Sequence, residues 1–270
     1  MDEAVKQQFL EALWGYYAKH ARNDLPWRTA EADGSFDPYK ILVSEIMLQQ
    51  TQVARVIPKY QNFLAVFPTV ETLAKAELGK VLKAWQGLGY NRRAKFLWLA
   101  AGQIITDGIF PNTLNSLVAL PGVGKHTAGA IMAYAYNKPE RFIETNVRTV
   151  YIHHFAQDHQ NVSDDFIWDL LEQTIDHEHP REFYWAVMDY GSHLKATVGN
   201  NTKQSQTYAK QSRFIGSLRQ IRGQVIRELS RAPKTASELR RSIRDERLEE
   251  VLKALLQEGL IRKQGAKYSL

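Results

Sequence analysis

Leu120-Pro121-Gly122-Val123-Gly124-Lys125-His126-Thr127-Ala128-Gly129-Ala130 is the stretch on which the fold turns. The apolar run from Leu117 to Leu120 reads as the end of one helix. Pro121 and Gly122 can then make a tight turn, and Gly124 lets the backbone come close to a ligand before a second helix begins. The first amides of a helix have no partner within it, so this start can bind a phosphate. Gly122, Val123, Gly124, Lys125, His126 and Thr127 are therefore expected to form an anion-gripping hairpin. An ordinary turn between helices could use the same residues.

The rest of the chain supplies the context. Its 270 residues can bury one large core or two modest ones, and its net charge of +6 favours a polyanionic partner. That charge is uneven: residues 195–270 carry 17 Lys and Arg against 7 Asp and Glu, whereas residues 1–194 carry 18 against 22. The basic surface is thus concentrated in the C-terminal third. There is no cysteine, which excludes a disulfide framework, a thiolate-held zinc and a cysteine-held iron–sulfur cluster. The pairs His153-His154 and His177 with His179 lack a recognisable ligand motif, so a metal hydrolase is disfavoured. No long apolar run opens the chain, and a soluble, cytoplasmic monomer without a membrane span is expected.

Apolar residues recur at helical spacing almost throughout, as in Phe9, Leu13, Tyr16 and Tyr17, or Leu73, Val81, Leu82 and Trp85. The predicted class is mainly α. Helix breaks are expected at Asp24 to Pro38, Phe67-Pro68-Thr69, Phe110-Pro111-Asn112, Asn137-Lys138-Pro139 and Gly199-Asn200-Asn201. Residues 201–214 read as a polar, basic linker or arm. Beyond it, Leu218 to Leu229, a helix opened by the Thr235/Glu238 capping-box spacing, and Leu248 to Glu258 suggest three helices. A hairpin turning at Gln264-Gly265 completes a module over 215–270 that resembles a winged helix-turn-helix. A small helical module for protein contacts is the alternative.

The second informative segment runs from Asp37 to Gln52. Glu45 is the only charged residue between Lys40 and Arg55, and it lies among Ile41, Leu42, Ile46 and Met47. Desolvation in such surroundings raises a carboxyl pKa, the condition a general acid needs at neutral pH. A surface or helix-pairing glutamate is the competing reading. Gln49 and Gln50, just beyond, are suited to wedging into a duplex by hydrogen bonding.

Leu25-Pro26-Trp27-Arg28, Ser44 to Gln52, Trp85-Gln86-Gly87-Leu88-Gly89-Tyr90, the hairpin at 120–130, Asn146-Val147-Arg148 and Met188-Asp189-Tyr190-Gly191 together resemble the adenine DNA glycosylases of the helix-hairpin-helix superfamily. The likeness covers roughly residues 20–195, and it implies a two-lobed glycosylase fold over 1–200. One lobe would be residues 23–135, the other 1–22 with 136–200. It further implies that Glu45 protonates the departing base, that Glu144 stabilises the sugar cation, and that Asn146 is a polar neighbour of both. Trp27, Arg28, Leu48, His126 and Asp189 would line the base pocket, while Tyr90 and Gln49, with Gln50, would wedge into duplex DNA. The hairpin could also hold a monovalent cation. A carboxylate pair suits this chemistry on its own terms, because breaking an N-glycosidic bond needs one acid at the leaving group and one charge near the sugar.

Four departures qualify what the resemblance implies. The family's usual aspartate is Glu144, one methylene longer, in Ile143-Glu144-Thr145-Asn146. The lysine of the bifunctional relatives falls at His126, so no lyase activity is expected. The four cluster cysteines fall at Lys195, Thr202, Ser205 and Gln211, leaving a loop that direct packing and hydrogen bonds must hold. No likeness to the Nudix-like domain that reads 8-oxoguanine is found, and the basic module stands in its place. The expected function is a monofunctional DNA glycosylase of base excision repair that flips a base, adenine first, from a duplex into a cleft between its lobes. A bacterial source would make it nucleoid-associated. The alternatives are a thymine or uracil mismatch glycosylase, or another damaged-base glycosylase, and a lesion-binding protein that does not cut.

Overall fold

The computed structural model describes residues 1–270. Helices α1 (Glu3–His20), α2 (Pro38–Leu48), α3 (Val53–Val66), α4 (Val70–Ala74) and α5 (Leu78–Ala84) come first. They are followed by α6 (Arg92–Asp107), α7 (Leu114–Val118), α8 (Lys125–Tyr136), α9 (Thr145–Phe155), α10 (Asp164–Thr174) and α11 (Pro180–Thr197). The C-terminal part holds α12 (Leu218–Leu229), β1 (Lys234–Thr235), α13 (Ala236–Ser242), α14 (Leu248–Gln257), β2 (Arg262–Gln264) and β3 (Lys267–Ser269). The mainly α class predicted from periodicity is observed. One expected pattern is divided, because a break between Ala74 and Leu78 separates Leu73 from Val81 and Leu82.

Contacts divide the chain into two units. The first comprises residues 1–41, 112–119 and 123–210. Its centre is α8, in which every residue from Ala128 to Ala135 is buried and which packs on α11. Small residues make that possible, since Ala128, Gly129, Ala130 and Ala133 let neighbours come close on all sides. Helix α11 also packs on α1 and α9. This grouping differs from the expected lobe of 23–135. A buried ion pair is one reason: Arg28 reaches Asp189 on α11 at 2.8 Å, which joins the stretch before α2 to the C-terminal helices of this unit.

The second unit comprises residues 42–111, 120–122 and 211–270. Here α6 packs on α4 and α5, with Trp85, Phe63 and Phe67 buried around them. The C-terminal elements belong to this unit rather than standing apart as residues 215–270. Lys95 Nζ on α6 donates to Glu258 O at 2.5 Å, and Leu270 lies against Gly79. Within them α12 packs on α14, and the strands form an antiparallel sheet in the order β1-β3-β2. The Thr235/Glu238 capping box forms as the spacing predicts, and the hairpin turns through Gly265 with Lys263 opposite Tyr268.

The linker expected at 201–214 is only partly a linker. Asn201–Gln204 is a 3-10 turn in which Thr202 is buried, as is the adjoining Ser205. Val162 and Ser205 form a parallel bridge, and Asn201 Nδ2 donates to Thr149 O at 2.9 Å. Gln204 Nε2 donates to the carbonyls of Gln157 and His159. This loop has oxygen and amide groups where thiolates would be needed, so its residues do not fit an iron–sulfur cluster, and protein hydrogen bonds hold it instead.

Candidate functional site

The hairpin is built from α7, the turn 120–124 and α8. Gly122 has φ +78°, and a Cβ there would stand 2.7 Å from the Phe96 Cβ, so both backbone and space demand glycine. Gly124 is the N-cap of α8 without a side-chain cap, and the first intrahelical bond runs from Ala128 N to Gly124 O at 2.9 Å. Val123 is buried beneath the turn, Lys125 is exposed and Thr127 half-buried. This helix end is thus arranged to receive an anion. His126 is tied down: its Nδ1 accepts from Ile143 N at 3.1 Å. Desolvation and the Arg148 charge depress its pKa against the opposing pull of Asp164, which favours the neutral ring.

Ile143 leads directly into Glu144, the N-cap of α9. The Glu144 carboxylate accepts from Asn146 N at 2.5 Å and from Val147 N at 3.1 Å, folding its long side chain back over the helix start. Glutamate is not a favoured N-cap residue, and a shorter acid would make these bonds with less bending. Desolvation raises the Glu144 pKa, while Lys195, the two capping amides and Arg148 pull it down. Lys195 Nζ donates to Asn146 Oδ1 at 2.7 Å, and Asn146 Nδ2 donates to Met188 Sδ at 3.5 Å. Burial depresses the Lys195 pKa and the Glu144 charge restores part of it. The start of α9 lies so close to α11 that a Cβ on Gly191 would be 2.7 Å from the Asn146 Cβ. The fold therefore gathers Glu144, Asn146 and Lys195 into one cluster.

Arg28 and Asp189 meet as an ion pair. Arg28 Nη1 and Nη2 each donate to an Asp189 oxygen at 2.8 Å, and Arg22 adds its Nε at 2.6 Å and its backbone N at 2.9 Å. Both carboxylate oxygens are thereby occupied. The Arg28 guanidinium lies over the Trp185 ring at 5.1 Å, and its buried Nε has no partner. Trp27, in the same 3-10 turn, is buried.

In the second unit, Glu45 is half-buried on α2 between the buried Ser44 and Ile46, and Leu48 ends the helix. Arg93 organises the turn beyond Leu48. Its Nη1 donates to the carbonyls of Ile46 at 2.8 Å and Met47 at 3.1 Å, and also to that of Gln49. Its Nη2 reaches Thr51 Oγ1 at 3.1 Å and Leu88 O at 3.3 Å. One guanidinium thus satisfies the open C-terminus of α2 and the turn before α6. Burial lowers its pKa to about 10, which leaves it charged. Gln50 has φ +55° and Tyr90 φ +48°, both in the left-handed region that side chains disfavour. The guanidinium groups of Arg93 and Arg219 lie 5.4 Å and 5.3 Å from the centre of the Tyr90 ring.

Several of these residues carry no signal in the sequence. Lys195, Arg22 and Arg93 stand in no local pattern that points to their partners, which lie up to 167 positions away. The Glu144 cap could have been read from Glu144-Thr145-Asn146 at a helix start, although glutamate is a weak cap signal.

Residues 43–175 match the family model described as HhH-GPD superfamily base excision DNA repair protein. The adenine DNA glycosylase of Buchnera aphidicola subsp. Baizongia pistaciae is 36% identical over 190 residues, 68% of this chain and 52% of that protein. The human adenine DNA glycosylase is 36% identical over 200 residues, 71% of this chain and 36% of that protein. That of Mycolicibacterium smegmatis is 43% identical over 133 residues, 48% of this chain and 44% of that protein. The chain thus spans about half or less of the length of these relatives. Among solved structures, a thermostable thymine-DNA glycosylase aligns with TM-score 0.60 and 26% identity over 70% of this chain and 87% of that one. A Helicobacter pylori 3-methyladenine DNA glycosylase shares the fold at TM-score 0.56 and 17% identity, over 72% of this chain and 98% of that one. The hairpin geometry, the motifs and these likenesses agree: through residues 43–175 the chain belongs to the HhH-GPD superfamily of base excision DNA repair proteins.

Proposed function

We propose that the chain is a monofunctional DNA glycosylase that removes a mispaired base, adenine in first place, from duplex DNA. The observation that carries this reading is Glu45, a half-buried acid on the otherwise uncharged stretch between Lys40 and Arg55, inside the segment that matches the superfamily. Glu45 protonates the leaving base so that it departs neutral. Glu144, held by the amides of Asn146 and Val147, supplies the negative charge that stabilises the sugar cation, with Lys195 fixing the Asn146 side chain beside it. Water then completes an abasic site. The hairpin grips a phosphate, Tyr90 with Gln49 and Gln50 fills the gap left in the duplex, and Trp27, Arg28, Leu48, His126 and Asp189 shape the base pocket. Position 126 has no amine for a Schiff base, and the His126 Nδ1 is occupied by Ile143 N, so strand cleavage is not part of the reaction. The arrangement of α12 to β3 supports a winged-helix module that adds phosphate contacts.

Thymine excision is the second reading, favoured by the alignment with a thymine-DNA glycosylase at 26% identity. Single-turnover assays on duplexes with A:8-oxoguanine, A:G, T:G, U:G and hypoxanthine decide between them. Cutting at A:8-oxoguanine or A:G supports the first reading and cutting confined to T:G or U:G the second. Tight mismatch binding without cutting would leave a lesion sensor.

A further inference from the structure

Residues 137–144 join α8 to α9 without regular structure and without a strand beside them, and side chains hold the last of them in place. Phe142 N donates to Tyr184 Oη on α11 at 3.3 Å, and Tyr184 Oη donates in turn to Glu140 O at 3.0 Å. The next amide, Ile143 N, donates to His126 Nδ1 on α8 at 3.1 Å. Phe142 and Ile143 are buried, so both amides need these partners. The fit against α8 is close, since a Cβ on Gly129 would stand 2.9 Å from the Phe142 Cβ and 3.2 Å from Arg141 O.

The amides of Asn146 and Val147 fix the Glu144 carboxylate relative to α9 alone. Its place relative to α8 depends on the residue before it, and there His126 supplies the hydrogen bond. His126 is the second residue of α8, at the helix start arranged to receive an anion. To accept at Nδ1, the neutral ring must carry its proton on Nε2. The ring is exposed and Nε2 has no partner within the protein. One ring nitrogen is thus committed to the backbone that leads into Glu144, and the other remains a free donor. A reacting group displaced by about 1 Å can lose about 10²-fold in rate, so a single bond of this kind has leverage on a carboxylate that must face a sugar.

We propose that His126 is a positioning residue for Glu144: through Nδ1 it ties the Ile143 amide, and with it the N-cap of α9, to the anion-receiving start of α8, so that one helix start both receives phosphate and sets where the carboxylate stands. The effect on rate rests on the glycosylase reading, but the placement is measured without cutting. Asparagine and glutamine separate the two ring nitrogens. The Asn side-chain oxygen is as many bonds from Cβ as the imidazole Nδ1, and the Gln side-chain nitrogen as many as Nε2. His126→Asn therefore keeps the acceptor for Ile143 N, and His126→Gln keeps only the outer donor. With the fold of both variants confirmed by circular dichroism, three readouts are taken: hydrogen exchange at the Ile143 amide, titration of the Glu144 carboxyl by carbon-13 NMR, and single-turnover excision alongside duplex affinity. In His126→Gln the Ile143 amide should exchange about tenfold faster or more, the Glu144 titration should shift, and excision should fall about 10- to 10²-fold with affinity within a few-fold. His126→Asn should stay near the parent in all three. Better excision by His126→Gln than by His126→Asn would overturn the proposal and make His126 act on the DNA through Nε2, and equal losses in both variants would overturn it as well. If the parent excises bases and His126→Gln leaves exchange and titration unmoved, the positioning role falls and the glycosylase reading stands. If exchange and titration move as expected but the parent excises nothing, the placement of Glu144 by His126 stands and the glycosylase reading falls.

Discussion

The Glu144 cluster and the Tyr90 loop are held in place by different physics. Around Glu144, beyond its two capping amides, the neighbouring groups are ionised side chains, with Lys195 on Asn146 and, on the neighbouring α11, Arg22 and Arg28 on Asp189. Around Glu45 and Tyr90 it is backbone: Arg93 gathers the carbonyls of Ile46, Met47 and Leu88, and two residues sit at positive φ. The first region should therefore respond to charge and pH, and the second to shape. A region fixed by backbone can present one acid in a defined place. A region fixed by paired charges can keep a buried carboxylate ionised.

The largest effect tests the second region. Glu45→Gln keeps the size and hydrogen-bonding capacity of the side chain but removes the proton, so single-turnover excision should fall by about 10²- to 10⁴-fold while duplex affinity stays within a few-fold. Excision at the parental rate would remove the acid from this helix and with it the central claim of the functional reading.

Next comes the ion pair of the first region. Asp189→Ala leaves Arg28 buried without its partner, and a loss of about 3–5 kcal/mol in denaturant unfolding is expected. Asp189→Asn, which keeps two of the hydrogen-bond acceptor positions, should lose less. A neutral result for Asp189→Ala would mean that this region is not held by its charges at all, and the contrast with the Arg93 network would disappear.

Glu144 separates charge from shape within the first region. Glu144→Gln keeps an oxygen able to cap α9 but loses the charge, so excision should drop by roughly 10²-fold or more, within the range of a lost electrostatic stabiliser, with little loss of stability. Glu144→Asp keeps both the charge and a preferred capping residue, and it should remain active. If Gln were as active as Glu, the carboxylate would be a cap only.

These contrasts also explain how much was legible in the sequence. Local features were: the glycine turn at 121–124, the Thr235 capping box, and the apolar surroundings of Glu45 all depend on residues within a few positions of each other. Resemblance brought in Glu144, Asn146 and Tyr90. Neither could supply the partners. Arg28 and Asp189 were each expected to line the base pocket, and nothing local foretells that their head groups pair across 161 positions of sequence. Lys195 was noted as the position of a lost cluster ligand, and only the close approach of α9 and α11 over Gly191 brings its charge into the neighbourhood of Glu144. Arg219 looked like one more basic residue of a phosphate-binding tail, because nothing local ties it to Tyr90.

Lys195 gives the finest test of the comparison. Burial pushes the Glu144 pKa up, and the Lys195 charge is the largest influence opposing it. If the reaction needs Glu144 ionised, excision falls as pH drops through the pKa of that carboxyl, so the acid limb of the pH–rate profile reports it. Lys195→Met removes a cation that favours the charged form, so the Glu144 pKa must rise and the acid limb must move to higher pH. Above the limb the rate should change only modestly, because the two capping amides remain. Lys195→Arg keeps the charge and should leave the limb near its parental position, which a merely structural role for the aliphatic stem would not require. In the same series Arg93→Met should lower the rate at every pH without moving the limb, since it holds backbone carbonyls rather than a titrating group. A limb that stayed fixed in Lys195→Met and moved in Arg93→Met would invert the assignment of charge to one region and shape to the other.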